Sequence, residues 1–128
     1  MTACVSTVWT TWADRQRHRG DRRLLWPILA MEAITFGDGR RALTFGKSKI
    51  NLHKARHELE PKAADPRPGS ADICLIADGT LDAVVDELEG NGVRIEEGPV
   101  TRTGALGPIR SVYVRDPDRN LVEISTYS

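Results

Sequence analysis

Residues 109–127, IRSVYVRDPDRNLVEISTY, constrain the fold more tightly than any other part of the chain. From 109 to 115 apolar and polar residues alternate, which is the period of a strand with one buried face. Asp116, Pro117, Asp118, Arg119 and Asn120 then supply turn chemistry: proline presets φ, and Asp and Asn tolerate tight or left-handed backbone. Residues 121–127 alternate again, so the stretch predicts a β-hairpin with a five-residue connection. In its second strand Leu121, Glu123 and Ser125 share one face, while Val122, Ile124 and Thr126 share the other. A carboxylate between apolar neighbours at mid-strand is the odd residue. Either Glu123 faces solvent on an edge, or it points inward to bind a metal or move a proton.

The hairpin needs partners, and 128 residues provide room for one domain with a useful core. Eighteen basic and eighteen acidic residues cancel, which argues against a nucleic-acid or strongly charged partner. No stretch approaches a transmembrane span, and the N-terminus lacks the apolar run of a signal peptide. The expected setting is therefore cytoplasmic, without a membrane partner. Cys4 and Cys74 show no metal-type spacing and read as free thiols. Phosphate-binding glycine loops, nucleophile elbows and nucleic-acid motifs are absent.

The start of the chain differs in character from the rest. All three tryptophans (Trp9, Trp12, Trp26) fall in the first 26 residues. Residues 1–12 hold Val5, Val8 and Trp9 without sustained alternation, and 14–23, DRQRHRGDRR, have no apolar face at helical spacing. From Met31 the pattern becomes orderly. Residues 32–36, 41–45 and 49–53 read as three strands separated by turns at 37–40 and 46–48. Residues 54–69 carry three prolines and read as a long loop. Residues 70–77 read as a strand with Asp72, Cys74 and Ile76 on one face. Leu81, Val84, Val85 and Leu88 fall at i, i+3, i+4 and i+7 and predict a helix over 80–89, capped by Thr80 and stopped at Asn91-Gly92. Residues 93–100 predict a strand that Pro99 ends or places on an edge, and 101–108 a glycine-containing loop. The second half thus reads β-α-β-β-β, and the ordered part of the first half β-β-β, which suggests an internal repeat.

The blocks KINLH, GSADICLI, EEGPVTRTGALGPI and RDPDRNLVEIS resemble the vicinal oxygen chelate superfamily, the glyoxalase/bleomycin resistance/dioxygenase group. They are most similar to its small glyoxalase-domain and virulence-protein members. The resemblance covers about residues 31–127 and sets residues 1–30 apart as an atypical segment, frameshifted or disordered. It implies an α+β fold of paired βαβββ modules around a divalent metal (Zn, Ni, Fe or Mn), often in a homodimer. The ligands come from the first strand of each module, usually His, and the last, usually Glu or Gln. Carried onto this chain, Glu123 takes the last-strand position of module two, and Asp72 stands where that module usually offers histidine. Asn51 matches the last-strand position of module one, and His53 follows two residues on, on the same face. Each has a bland alternative: a strand-start aspartate bonding a nearby amide, a non-ligating asparagine, a surface histidine. Arg102, in the loop beside the strand ends, is the residue to meet an anionic substrate or to stay solvated.

The resemblance also implies a first strand of the type DHLVLTV and a helix after it, and residues 1–30 show neither. With suitable degenerate codons, Val8 to Trp12 read from the third base of the valine codon gives Leu-Asp-His-Leu. Ala13 to Trp26, read from the second base, gives LTVSDIEATVAFYG. An out-of-frame translation over roughly residues 8–30 would account for both losses, and for the arginine and tryptophan content there. In the chain as written the first-strand ligand is missing, and His18, in its charged context, has no strand position. Two functions follow from the resemblance. One is a metal-dependent lyase or dioxygenase acting on a small oxygen-bearing metabolite, with Glu123 as ligand and base. The other is a small-molecule binding or resistance protein without metal, favoured by the missing histidines; an inactive gene product is a third outcome.

Overall fold

The computed structural model describes residues 2–3, 7–10, 28–37, 39–54, 56, 60 and 62–127. The strands in chain order are β1 (Thr2–Ala3), β2 (Thr7–Thr10), β3 (Glu32–Phe36), β4 (Arg40–Phe45), β5 (Ser48–Lys54) and β6 (Asp72–Ile76). Helix α1 (Leu81–Gly90) follows, and then β7 (Glu97–Gly104), β8 (Gly107–Arg115) and β9 (Leu121–Thr126). They form a five-stranded sheet in the order β1-β6-β9-β8-β7 and a four-stranded sheet in the order β2-β5-β4-β3.

Each sheet contains one parallel pairing, of a first strand with a last one. In the second half β6 runs parallel to β9, with Cys74 opposite Glu123. In the first half β2 runs parallel to β5, with Thr7 opposite Asn51 and Trp9 opposite His53. A first strand therefore exists where residues 1–12 offered no sustained alternation: a parallel ladder is held by backbone hydrogen bonds, which need no particular side-chain pattern. The charged run at 14–23, His18 and most of the stretch assigned to a shifted frame lie outside the described residues.

The core follows from the alternation. Ile73, Leu75, Val112, Val114, Val122 and Ile124 point from one face of the five-stranded sheet and are buried together with Leu81 and Leu88 of α1. Leu29, Met31, Phe45 and Ile50 extend the same cluster from the first half of the chain. Thr80 caps α1 as expected, its side-chain oxygen accepting from the Ala83 amide at 3.2 Å, and Asn91 closes the other end.

The hairpin connection is built from its own side chains. Asp116 accepts from the Asn120 amide and from Asn120 Nδ2, both at 2.8 Å. The fully buried Asn120 accepts in turn from the Ala71 amide at 3.0 Å, tying the turn to the start of β6. Burial pushes the Asp116 carboxyl up, against the lowering effect of the Asn120 hydrogen bonds.

Two expectations are corrected. The strand read over 93–100 begins at Glu97 and runs to Gly104, and the loop read over 101–108 is its end, a two-residue turn at Ala105-Leu106 and the start of β8. Val100 to Thr103 pair residue by residue with Ser111 to Pro108. β7 lies at the edge of the sheet, so its outward residues stay polar and its sequence carries no strong strand period. Pro99 does sit on an edge strand, where its missing N–H is tolerated. Gly98, at φ +107, passes so near β8 that a Cβ there would stand 2.5 Å from the Ser111 carbonyl oxygen.

Candidate functional site

The face of the five-stranded sheet turned away from α1 carries the candidate residues. Parallel pairing sets Asp72 opposite Leu121, Cys74 opposite Glu123 and Ile76 opposite Ser125. On the other side of β9 the hairpin register sets Tyr113 opposite Glu123 and Ser111 opposite Ser125. Paired residues share a face, so Glu123 stands among Cys74, Tyr113, Ser111 and Ser125.

Glu123 is half-buried and oriented from below. The Ser111 hydroxyl donates to its Oε1 at 2.7 Å, and Ser125 Oγ reaches the same oxygen at 3.3 Å. Both serines are fully buried and lie 2.7 Å from each other, and Cys74 Sγ lies 3.8 Å from Ser125 Oγ. A buried hydroxyl must spend its one proton inside the protein, so two serines under one carboxylate oxygen fix the rotamer of the acid.

Arg102 belongs to this face, not to a loop. Its Nε donates to the Tyr113 hydroxyl at 3.2 Å, one Nη donates to Glu97 Oε1 at 2.7 Å and the other reaches the Thr101 carbonyl at 3.3 Å. The guanidinium lies 5.6 Å from the centre of the Tyr113 ring. Burial raises the Tyr113 phenol; Arg102 opposes that rise and the neighbouring Glu123 carboxylate adds to it. The arginine is held firmly protonated, by Tyr113 first and Glu97 second. Hydrogen bonds link Glu97, Arg102 and Tyr113, and Tyr113 stands across the ladder from Glu123, which the serines hold.

The four proposed ligands divide between the sheets. Asp72 and Glu123 share one face of the five-stranded sheet, two residues apart along paired strands, with Asp72 exposed. Asn51 and His53 share a face of the four-stranded sheet. Asn51 Oδ1 is buried and has no hydrogen-bond partner among the described residues. Among the described residues no three His, Cys, Asp or Glu side chains stand close enough to hold an ion. The residues Thr7 to Thr10, opposite Asn51 to Lys54, include no metal-ligating type beyond hydroxyls. Among the described residues these donors do not by themselves make a metal centre.

Tyr113, Ser111 and Ser125 are the site residues that reading the sequence missed. The signal was available: once the Asp116–Asn120 connection sets the hairpin register, Tyr113 falls opposite Glu123 and Ser111 opposite Ser125. A cavity of about 270 Å³, lined by Leu29, Phe45, Leu88 and Ile124 among others, is separate from this site, because Ile124 faces away from Glu123.

Comparison with known proteins identifies the family. The family model described as "Glyoxalase/Bleomycin resistance protein/Dioxygenase superfamily" matches residues 30–124. The glyoxalase domain-containing protein RDO1 of Mycosarcoma maydis is 52% identical over 99 residues, 77% of this chain and 56% of that protein. This chain therefore matches little more than half the length of that relative. The virulence protein STM3117 of Salmonella typhimurium is 54% identical over 100 residues, 78% of this chain and 69% of its own. Its crystal structure superposes with a TM-score of 0.84 at 42% identity, covering 100% of this chain and 99% of that one. The V. cholerae integron cassette protein VCH_CASS1 superposes equally well, with a TM-score of 0.84 at 44% identity and coverage of 100% and 98%. The chain belongs to the glyoxalase/bleomycin resistance protein/dioxygenase superfamily.

Proposed function

We propose that this chain is a glyoxalase- or dioxygenase-like enzyme that acts on a small oxygen-bearing metabolite by moving a proton at Glu123. The observation that carries the reading is the hold on that carboxylate. Ser111 and Ser125 occupy Oε1 from the protein side, which leaves Oε2 as the oxygen to meet a substrate. A general base needs this kind of fixed geometry before its pKa matters. Arg102 and Tyr113 supply positive charge and a hydrogen-bond donor beside it, the groups that stabilise a developing oxyanion.

The resemblance adds a divalent metal, which would polarise paired substrate oxygens when bound. Asp72 and Glu123 are the donors this face offers such an ion, with Asn51 and His53 on the other sheet. A homodimer is the assembly the resemblance implies. The second reading, a binding or resistance protein without metal, is favoured by aspartate and asparagine standing where stronger ligands are usual.

Metal analysis of the purified chain, with an assay of methylglyoxal and glutathione turnover, tests these readings. Turnover lost in Glu123→Gln supports the enzyme. Stoichiometric Zn, Ni, Fe or Mn that disappears in Glu123→Ala would make the reaction metal-dependent. Metal-free protein that binds small ligands tightly and turns none over would replace the enzyme with the binding protein.

A further inference from the structure

We infer that the row Arg102–Tyr113–Glu123 is built for a 2-oxo carboxylate: Arg102 takes the carboxylate, Tyr113 the 2-oxo oxygen, and Glu123 the proton on carbon 3. The inference rests on the proton-transfer reading of Glu123 and adds the substrate class and a role for Tyr113.

The geometry points to this class because a carboxylate already occupies the first place in the row. Glu97 Oε1 sits 2.7 Å from the Arg102 guanidinium, which shows that the edge of the arginine along the sheet face accepts a carboxylate. That pair is easily exchanged. The side chains of Arg102 and Glu97 are 41% and 57% exposed, and exposed ion pairs contribute little to stability. Arg102 keeps its Nε on the Tyr113 hydroxyl at 3.2 Å while its terminal nitrogens change partner. Tyr113 stands directly across the ladder from Glu123, so a donor and a base stand side by side on one face of adjacent strands. A cation, a neutral donor and a base in that order match the carboxylate, the adjacent carbonyl oxygen and the acidic C–H of a 2-oxo acid. A neutral ketone would leave Arg102 unused, and a simple carboxylate would leave Tyr113 and Glu123 unused.

The step balances within the site. The C3–H bond breaks and its proton goes to the Glu123 carboxylate. The electron pair forms the C2–C3 double bond, and the carbonyl pair moves onto the C2 oxygen, where the Tyr113 O–H donates to it. Return of a proton from Glu123 to C3 restores the substrate, and in D₂O it delivers a deuteron instead. No oxidant or second substrate is needed.

The experiment follows loss of the C3 proton signal of 2-oxobutanoate by ¹H NMR in D₂O with the full chain, using butanone as the neutral probe and butanoate as the simple acid. Exchange of 2-oxobutanoate at least tenfold faster than that of butanone, each corrected for buffer, is the expected result. Arg102→Gln should abolish this preference while Arg102→Lys partly restores it, and Tyr113→Phe should slow exchange at least tenfold without weakening butanoate binding. Glu123→Gln should stop exchange and still bind 2-oxobutanoate. Equal exchange of butanone and 2-oxobutanoate would overturn the substrate class and leave the proton-transfer reading intact. Absence of exchange with both would overturn both. A preference that survives Arg102→Gln in a variant with an unchanged circular dichroism spectrum would overturn the assignment of Arg102.

Discussion

At the scale of single residues, the site depends on groups that look ordinary in the sequence. Ser111 and Ser125 read as polar members of an alternating strand, and nothing in their type separates a solvent-facing serine from one buried beneath a carboxylate. Glu123 was legible as anomalous because a carboxylate in the middle of a largely apolar strand is costly to bury unless compensated. Its compensation becomes legible only with the hairpin register, since it comes largely from β8 across the ladder. Replacing Ser111 by Ala removes the short hydrogen bond to Glu123 and leaves Ser125 as its remaining serine partner at 3.3 Å. The expected loss is about 1–3 kcal/mol, read as a lower urea midpoint with unchanged slope. Asp116 gives a pH signature with a defined sign. Its folded-state pKa is raised by burial, so protons bind more tightly to the folded than to the unfolded chain. The contribution of this group is fully present below the ordinary carboxylate pKa and is lost as pH rises through the raised value. Urea unfolding from pH 3 upward should show that decline, and Asp116→Ala should flatten it while lowering stability throughout by removing the turn's acceptor.

At the scale of elements, the helix and the last hairpin could be read directly, because apolar spacing and turn residues agreed there. β7 could not, because Val100, Thr101, Arg102 and Thr103 alternate only weakly and glycines flank the turn, so local chemistry suggested a loop. What makes the segment a strand is its partner β8. The turn of the last hairpin also departs from local preference: Arg119 sits at φ +68, a conformation that favours glycine. Arg119→Gly should therefore stabilise the protein by up to ~1 kcal/mol after the entropy cost of glycine is set against the relieved strain. Thermal unfolding of the variant checks this, and a lower midpoint would mean that the Arg115 bond to the Arg119 carbonyl at 3.4 Å depends on the native turn.

At the scale of the whole molecule, the two halves repeat one plan, each with its first strand laid parallel to its last. The repeat was legible in the second half and only partly in the first, where the residues between Thr10 and Ile28 show no helical period. β1 and β2 are the connection between the two sheets: β1 pairs with β6 in one and β2 with β5 in the other. Deleting residues 1–10 would bare the edges of β6 and β5 together. The expected outcome is a thermal midpoint lower by at least ~5 °C and concentration-dependent self-association, measured by calorimetry and size-exclusion chromatography. In the chain as written this connection falls within or beside the stretch whose composition departs from the rest.

That connection also sets an order of events during synthesis. β2 can find β5 as soon as Lys54 has left the ribosome, so the first sheet can close early. The pairs Thr2–Ile76 and Ala3–Leu75 cannot form until β6 has emerged, and β6 itself waits for β9 to complete its other edge. Thr2 and Ala3 are thus tied down later than the strands of the first sheet that follow them in the chain. A nascent chain stalled before Leu121 would carry a β6 whose β9 edge is still unpaired, the form most in need of a chaperone.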